Sequence, residues 1–244
     1  MHKTALSTFL SKSPFPNPFT LGFFYREKMR AIHRIAPEHR FQEILEVGGG
    51  QGGLTALLYP QAKITNLDLN PKYARAACNQ QARVRFECGD ATALSFEDHS
   101  FDAVTMFDVL EHIPNHHKAV AEARRVLRPG GFLLLSAPNE NWRFPYYGFM
   151  KTMCPTEVEM IAEWGHVRRG YSLNELKELI DLPCRGYATF ISPVTVLCHD
   201  LSFSRLEYRM RQRFCTVLSP LTWLGYALHQ QHNRGTGTAS VWEK

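Results

Sequence analysis

The sequence predicts an α/β protein built on a doubly wound, seven-stranded, mostly parallel sheet with helices on both faces. Two observations carry this. From residue 41 onward, short apolar runs alternate with helix-patterned segments, some on short connections. That order forces right-handed crossovers between parallel strands. The first apolar run, with Ile44, Leu45 and Val47, leads into Gly48, Gly49, Gly50, Gly52 and Gly53 and then directly into a helical segment. Bare backbone at such a turn lets a polar ligand approach the carboxyl ends of the strands.

The elements follow in order. Strand 44–47 passes through the glycines to a helix over 53–59, a second strand over 63–67 ends at Asp68, a helix covers 71–81, and a third strand covers 84–87. A fourth strand is expected at 101–107. A helix at 116–127 is stopped by Arg128-Pro129-Gly130-Gly131, and a fifth strand follows at 132–136. Beyond Pro138 the pattern loosens. Residues 139–167 are aromatic and loop-rich, Ser172 caps a helix over 173–180, a sixth strand is placed at 188–196, a helical insertion at about 201–228, and a closing strand at 238–242. Residues 1–18, with Pro14, Pro16 and Pro18, read as an extended lead-in. The helical pattern at 19–35 fits either a helix on the sheet edge or a lid, with Tyr25 or Arg26 reaching the ligand. The chain thus divides into an N-terminal extension and lid helix, 1–36, and one domain, 37–244.

Composition narrows the class. At 244 residues, 44% hydrophobic and 21% charged, the chain can bury a substantial core. A net charge of +5 is too mild to point to DNA or RNA. Six scattered cysteines without CxxC spacing read as reduced thiols in a cytoplasmic protein. No secretory signal is expected and no window reaches the roughly 18 apolar residues of a membrane span.

The glycine run satisfies two fingerprints, Gly48-x-Gly50-x-x-Gly53 for dinucleotides and the looser Gly48-x-Gly50-x-Gly52, and both expect an acid near Asp68. Glu46 ahead of the glycines, Cys88-Gly89-Asp90-Ala91 after the third strand and Phe107-Asp108-Val109-Leu110-Glu111-His112 after the fourth discriminate between them. Glu46 either meets a cationic ligand or caps the turn.

Taken with Arg128-Pro129-Gly130-Gly131, this ordered set resembles the class I S-adenosylmethionine-dependent methyltransferases, in the pattern of their small-molecule branch. The resemblance covers about 40–140 and, weakly, 165–176. It implies seven strands with the last antiparallel and inserted between the fifth and sixth. It also implies that Glu46 and Gly48 hold the methionine amino group, Gly50 and Gly52 let the backbone pass under the cofactor, Asp68 with Leu69 binds the ribose, Asp90 and Ala91 read adenine, and Phe107 offers its carbonyl. Gly49 departs from the Cys or Ala frequent there, a change expected to block nothing.

The implied reaction is in-line transfer of a methyl group to a small or lipid-linked metabolite. His112 and His166 are the candidate catalytic residues, and Tyr146, Tyr147 and Trp164 candidates for lining an acceptor pocket. No metal cluster is recognisable in the sequence, so a metal-dependent catechol-type transfer is not expected. The alternatives are an NAD(P)-dependent oxidoreductase and a non-catalytic cofactor-binding partner subunit. Arg205, Arg209, Arg211 and Arg213 followed by an apolar run read either as a cap over the pocket or as peripheral membrane contact through 205–228. Oligomeric state is left open.

Overall fold

The computed structural model describes residues 3–244. Seven strands form one sheet: β1 (Glu43–Val47), β2 (Lys63–Asp68), β3 (Val84–Cys88), β4 (Phe101–Phe107), β5 (Leu127–Pro138), β6 (Cys184–Phe190) and β7 (Gly237–Glu243). Their spatial order is β3-β2-β1-β4-β5-β7-β6, with β7 antiparallel to both neighbours. The connections reverse direction between β1 and β4, and the crevice at their carboxyl ends is where ligands of open α/β sheets bind.

Alternation along β1 sends Ile44 to one face and Leu45 to the other. Ile44 joins a core with α2 (Phe24–Ile35) and α3 (Leu54–Leu58), and Leu45 one with α4 (His116–Val126) and α6 (Leu173–Ile180). Both faces of the sheet are therefore covered, which is why its strands read as near-continuous apolar runs. A third cluster, containing Trp142, Phe144, Met160, Cys198, Leu201 and Cys215, joins α5 (Glu157–Trp164), α7 (Thr195–Ser202) and α8 (Tyr208–Leu228) into a cap.

The structure corrects three expectations. Residues 6–11 form α1 (Leu6–Ser11), whose Phe9 and Leu10 are buried in the core that includes α2, so the lead-in is docked. The expected helix at 71–81 is two 3₁₀ turns, Pro71–Arg75 and Ala77–Gln80, broken where Ala76 is extended. That break turns the Asn79 side chain inward, where it donates to the Gly50 and Tyr73 carbonyls and accepts from Asn66. The sixth strand ends at Phe190. Ile191 at φ +58 and Pro193 interrupt the apolar run, and 195–202 become α7. The insertion is thus two helices between β6 and β7. At Gly49 a Cβ would lie 2.5 Å from Asn66 Oδ1 and 2.7 Å from the Glu46 side chain, so Cys or Ala would force those side chains to shift where glycine does not.

Candidate active site

Three cavities meet at the carboxyl ends of β1, β2 and β4. The largest, about 600 Å³, runs past Gly48, Asp68, Leu69, Asp90, Ala91, Val109 and His112. A second, about 220 Å³, lies between the glycine turn with Glu46 and Tyr25 and Lys28 of α2. The third, about 200 Å³, is walled by Phe24, Trp142, Trp164, His199 and Phe203 and floored by Asp108, Glu111, His112 and His166. Asp108 lines all three.

Most residues singled out from the sequence gather here. Gly48 and Gly50 both have positive φ, +69° and +50°. A Cβ on Gly50 would stand beside Asp68 Oδ2 and the Tyr73 ring, both at 3.7 Å, in space that Asp68 and Tyr73 border as walls of the large cavity. Asp68 spends one oxygen on Asn70 N (2.9 Å) and Asp90 one on Thr92 N (2.8 Å), leaving each a second carboxylate oxygen. Leu69 is 71% exposed at the rim and Ala91 is buried. Phe107 lines the smaller cavity with Glu46.

Glu46 caps the turn and leaves the other role open. It is buried, accepts from the backbone N–H and hydroxyl of Thr55 at the start of α3, and still lines the cavity. Burial pushes its carboxyl above the usual range, and the Thr55 bonds offset part of that. A cation arriving there would restore its charge.

Sequence reasoning missed Lys28. Its ammonium lies 2.7 Å from Asp108 Oδ2 and 4.5 Å from the centre of the Tyr25 ring. Ser136 donates to the other Asp108 oxygen at 2.6 Å, and Asp108 N donates to Ser136 O. Burial works against both charges, yet their mutual attraction raises Lys28 and lowers Asp108, so the pair stays ionised. These bonds hold Asp108 at φ +50, a conformation non-glycine residues rarely adopt and one that recurs at functional sites. Arg26, the alternative candidate on this helix, instead donates to Leu10 O.

His112 and His166 are brought together although 54 residues separate them. Arg168 donates to the carbonyls of Leu110, Ile113 and Pro114, and Val167 N donates to Glu111 O, strapping the later loop onto the turn Leu110–His112. The two rings meet edge to face, with centroids 4.8 Å apart. Side-chain atoms of Glu111, His112 and His166 lie within 4.8 Å of one another. Two atoms of this set, Glu111 Oε2 and His166 Nδ1, are buried without a partner. These residues stand too far apart in the sequence for a local motif to show the grouping. His112 Nδ1 faces the Gly165 carbonyl at 3.1 Å and must donate to it, so Nε2 keeps its lone pair. Burial pushes His166 down to about 4, with its neighbour His112 adding to the effect. Burial and the nearby Asp108 carboxylate push Glu111 well above the usual carboxylate range.

Tyr146 and Tyr147 do not line the third cavity. Tyr146 N donates to the buried Asp200, and Tyr147 reaches the Pro193 carbonyl beside α8. Trp142 takes their place.

Residues 45–135 match the family model for a methyltransferase domain. This match and the likenesses that follow support a class I S-adenosylmethionine-dependent methyltransferase over the oxidoreductase and non-catalytic alternatives. Among curated relatives, a ubiquinone biosynthesis O-methyltransferase of Coxiella burnetii is 28% identical over 191 residues, covering 64% of this chain and 82% of that one. A phthiotriol/phenolphthiotriol dimycocerosates methyltransferase of Mycobacterium ulcerans is 39% identical over 118 residues, 45% of this chain and 43% of that one. Among solved structures, a possible histamine N-methyltransferase of Thermotoga maritima superposes with a TM-score of 0.60 at 18% identity, covering 92% and 91% of the two chains, which is likeness of fold.

Proposed function

We propose that this methyltransferase acts on a hydroxyl group of an apolar, ring-bearing acceptor, small or lipid-linked, seated in the aromatic cavity. The observation that carries the reading is Asp108, which borders both cofactor-side cavities and the aromatic one, so donor and acceptor meet there. The relatives add support: one is named for O-methylation in ubiquinone biosynthesis and another for a lipid acceptor.

On the cofactor side, Glu46 and the backbone at Gly48 would hold the amino group and Lys28 the carboxylate. Gly50 and Gly52 would pass beneath, Asp68 with Leu69 would take the ribose, Asp90 and Ala91 would take adenine, and the Phe107 carbonyl would assist at the amino group. Bound S-adenosylmethionine supplies a sulfonium-activated methyl group for in-line displacement. The protein's task is then mainly alignment, an effect worth about 7–11 kcal/mol at near-attack geometry.

On the acceptor side, Trp142, Trp164 and Phe203 would pack on the ring and exclude water. Glu111, when it carries its proton, would donate to the acceptor oxygen, and His112 Nε2 or His166 would accept the acceptor's proton. Partners placed tetrahedrally about an oxygen at ~2.8 Å stand about 4.6 Å apart, close to the upper spacing of this set. A divalent ion at ~2.1 Å would need them near about 3.4 Å.

Methyl-labelled cofactor offered with phenols and catechols, with and without a prenyl tail, and with matched amines tests this. Label on oxygen of the apolar phenols supports the reading, and label on amines alone overturns it. The protein is expected in the cytoplasm.

A further inference from the structure

The helix α8 wears its apolar residues on the wrong side for a soluble cap. Its buried residues are Cys215, Ser219, Thr222 and Tyr226, a stripe that is mostly small and polar. Met210, Phe214, Val217, Leu221, Leu224 and Leu228 are exposed, Val217 by 76% and Leu228 by 65%. Those six are spaced by four, three, four, three and four residues, so at ~100° per residue they form one straight stripe, about 150° around the helix from the buried one. The stripe faces away from the protein. Apolar channels flank it, one bordered by Phe149, Val194 and Leu221, the other by Val194, Leu224 and Leu228.

Charge is distributed just as unevenly. Helix α8 contains no acidic residue, and its three arginines, Arg209, Arg211 and Arg213, all fall in its first two turns. Arg211 is tied to the Ser202 carbonyl, while Arg209 and Arg213 make no ion pair among the described residues. Cations at a helix N-terminus add to the positive end of its dipole, an arrangement that costs stability until an anionic surface meets it. An exposed apolar stripe beside unpaired arginines fits lipid acyl chains below a negatively charged headgroup layer. No helix among the described residues is long and apolar enough to cross a membrane.

We propose that α8 docks on the surface of an anionic lipid bilayer, lying in its plane with Phe214, Val217, Leu221 and Leu224 inserted and Arg209 and Arg213 at the headgroups. This contact is independent of the acceptor's identity. It is a peripheral contact of the cap, and no residue of α8 lines the three cavities of the site.

Sedimentation with vesicles of phosphatidylglycerol and phosphatidylcholine, against phosphatidylcholine alone, tests it. The full-length protein should pellet with the anionic vesicles only, and less as salt is raised. Leu221→Glu with Leu224→Glu, and separately Arg209→Glu with Arg213→Glu, should each lower the partition coefficient at least tenfold while S-adenosylhomocysteine binding and melting temperature stay as in the parent. Failure of the parent to bind anionic vesicles at low salt overturns the proposal, as does binding that both variants retain. Light scattering that shows a stable dimer, dissociated by the Leu221→Glu and Leu224→Glu pair, assigns the stripe to a second copy of the chain and overturns it equally.

Discussion

Lys28 Nζ lies 2.7 Å from Asp108 Oδ2, joining the helix ahead of the sheet to the tip of β4. The pair closes one wall of the cavity that also holds Glu46 and the glycine turn. An amino acid moiety placed there brings a carboxylate to which Lys28 can turn. Replacing Lys28 by Met removes a charge-assisted bond of about 1.5–3 kcal/mol, so affinity for S-adenosylhomocysteine should fall roughly tenfold or more. 5′-Methylthioadenosine, which lacks the amino acid, should bind the variant as it binds the parent. Equal losses for both ligands, read by calorimetry, would place Lys28 outside that contact.

The proton acceptors on the far side of Asp108 make a kinetic prediction. His112→Asn keeps a donor toward the Gly165 carbonyl and removes the Nε2 lone pair. If His112 takes the acceptor's proton, kcat should fall by about 10²–10⁴ while cofactor affinity stays unchanged. An unaltered kcat would pass the role to His166.

The spacing of Glu111, His112 and His166 predicts turnover without a bound metal. Prolonged dialysis against a strong chelator should leave the rate of labelled methyl transfer unchanged. Loss of activity restored by zinc or magnesium would mean that the three side chains close on an ion.

Histidine burial predicts how stability responds to acid. His116 and His166 are each pushed down to about 4 by burial, against ~6.5 in an unfolded chain. Between about pH 4 and 6.5 the unfolded state therefore binds more protons, so the stability these residues confer is present above about 6.5 and lost as pH falls through that window. Melting temperatures of the parent should drop across it more steeply than those of His166→Gln. Parallel curves would show that His166 titrates normally in the folded protein.

The cofactor side of the site was legible in the sequence because its residues sit at strand ends, where local pattern fixes position. Glu46, Asp68, Asp90 and Phe107 each lie within two residues of the end of a parallel strand. On the acceptor side His112, Trp164 and His166 were named singly, but their grouping with Glu111 was not legible, because it depends on Arg168 reaching backbone carbonyls, a contact without periodicity. Lys28 was hidden for a related reason: on α2 it reads as one basic residue among several, and only the packing of that helix against β6 and β7 aims it inward. The apolar run after Phe190 misled because strand and helix read alike over so short a stretch, and the left-handed turn at Ile191 leaves no composition signal.

The most direct test of the account is calorimetric titration of S-adenosylhomocysteine into the parent protein, Asp68→Ala and Gly50→Val. The parent should bind on the order of micromolar. Asp68→Ala should bind at least tenfold more weakly, from loss of about 1.5–3 kcal/mol per charge-assisted bond. Gly50→Val should show no binding, because φ +50 strains a branched residue and its side chain would fill the space beside Asp68 and Tyr73 that the cofactor needs. Undiminished binding to both variants would contradict the placement of the cofactor at the ends of β1 and β2, and with it the approach of the acceptor across Asp108.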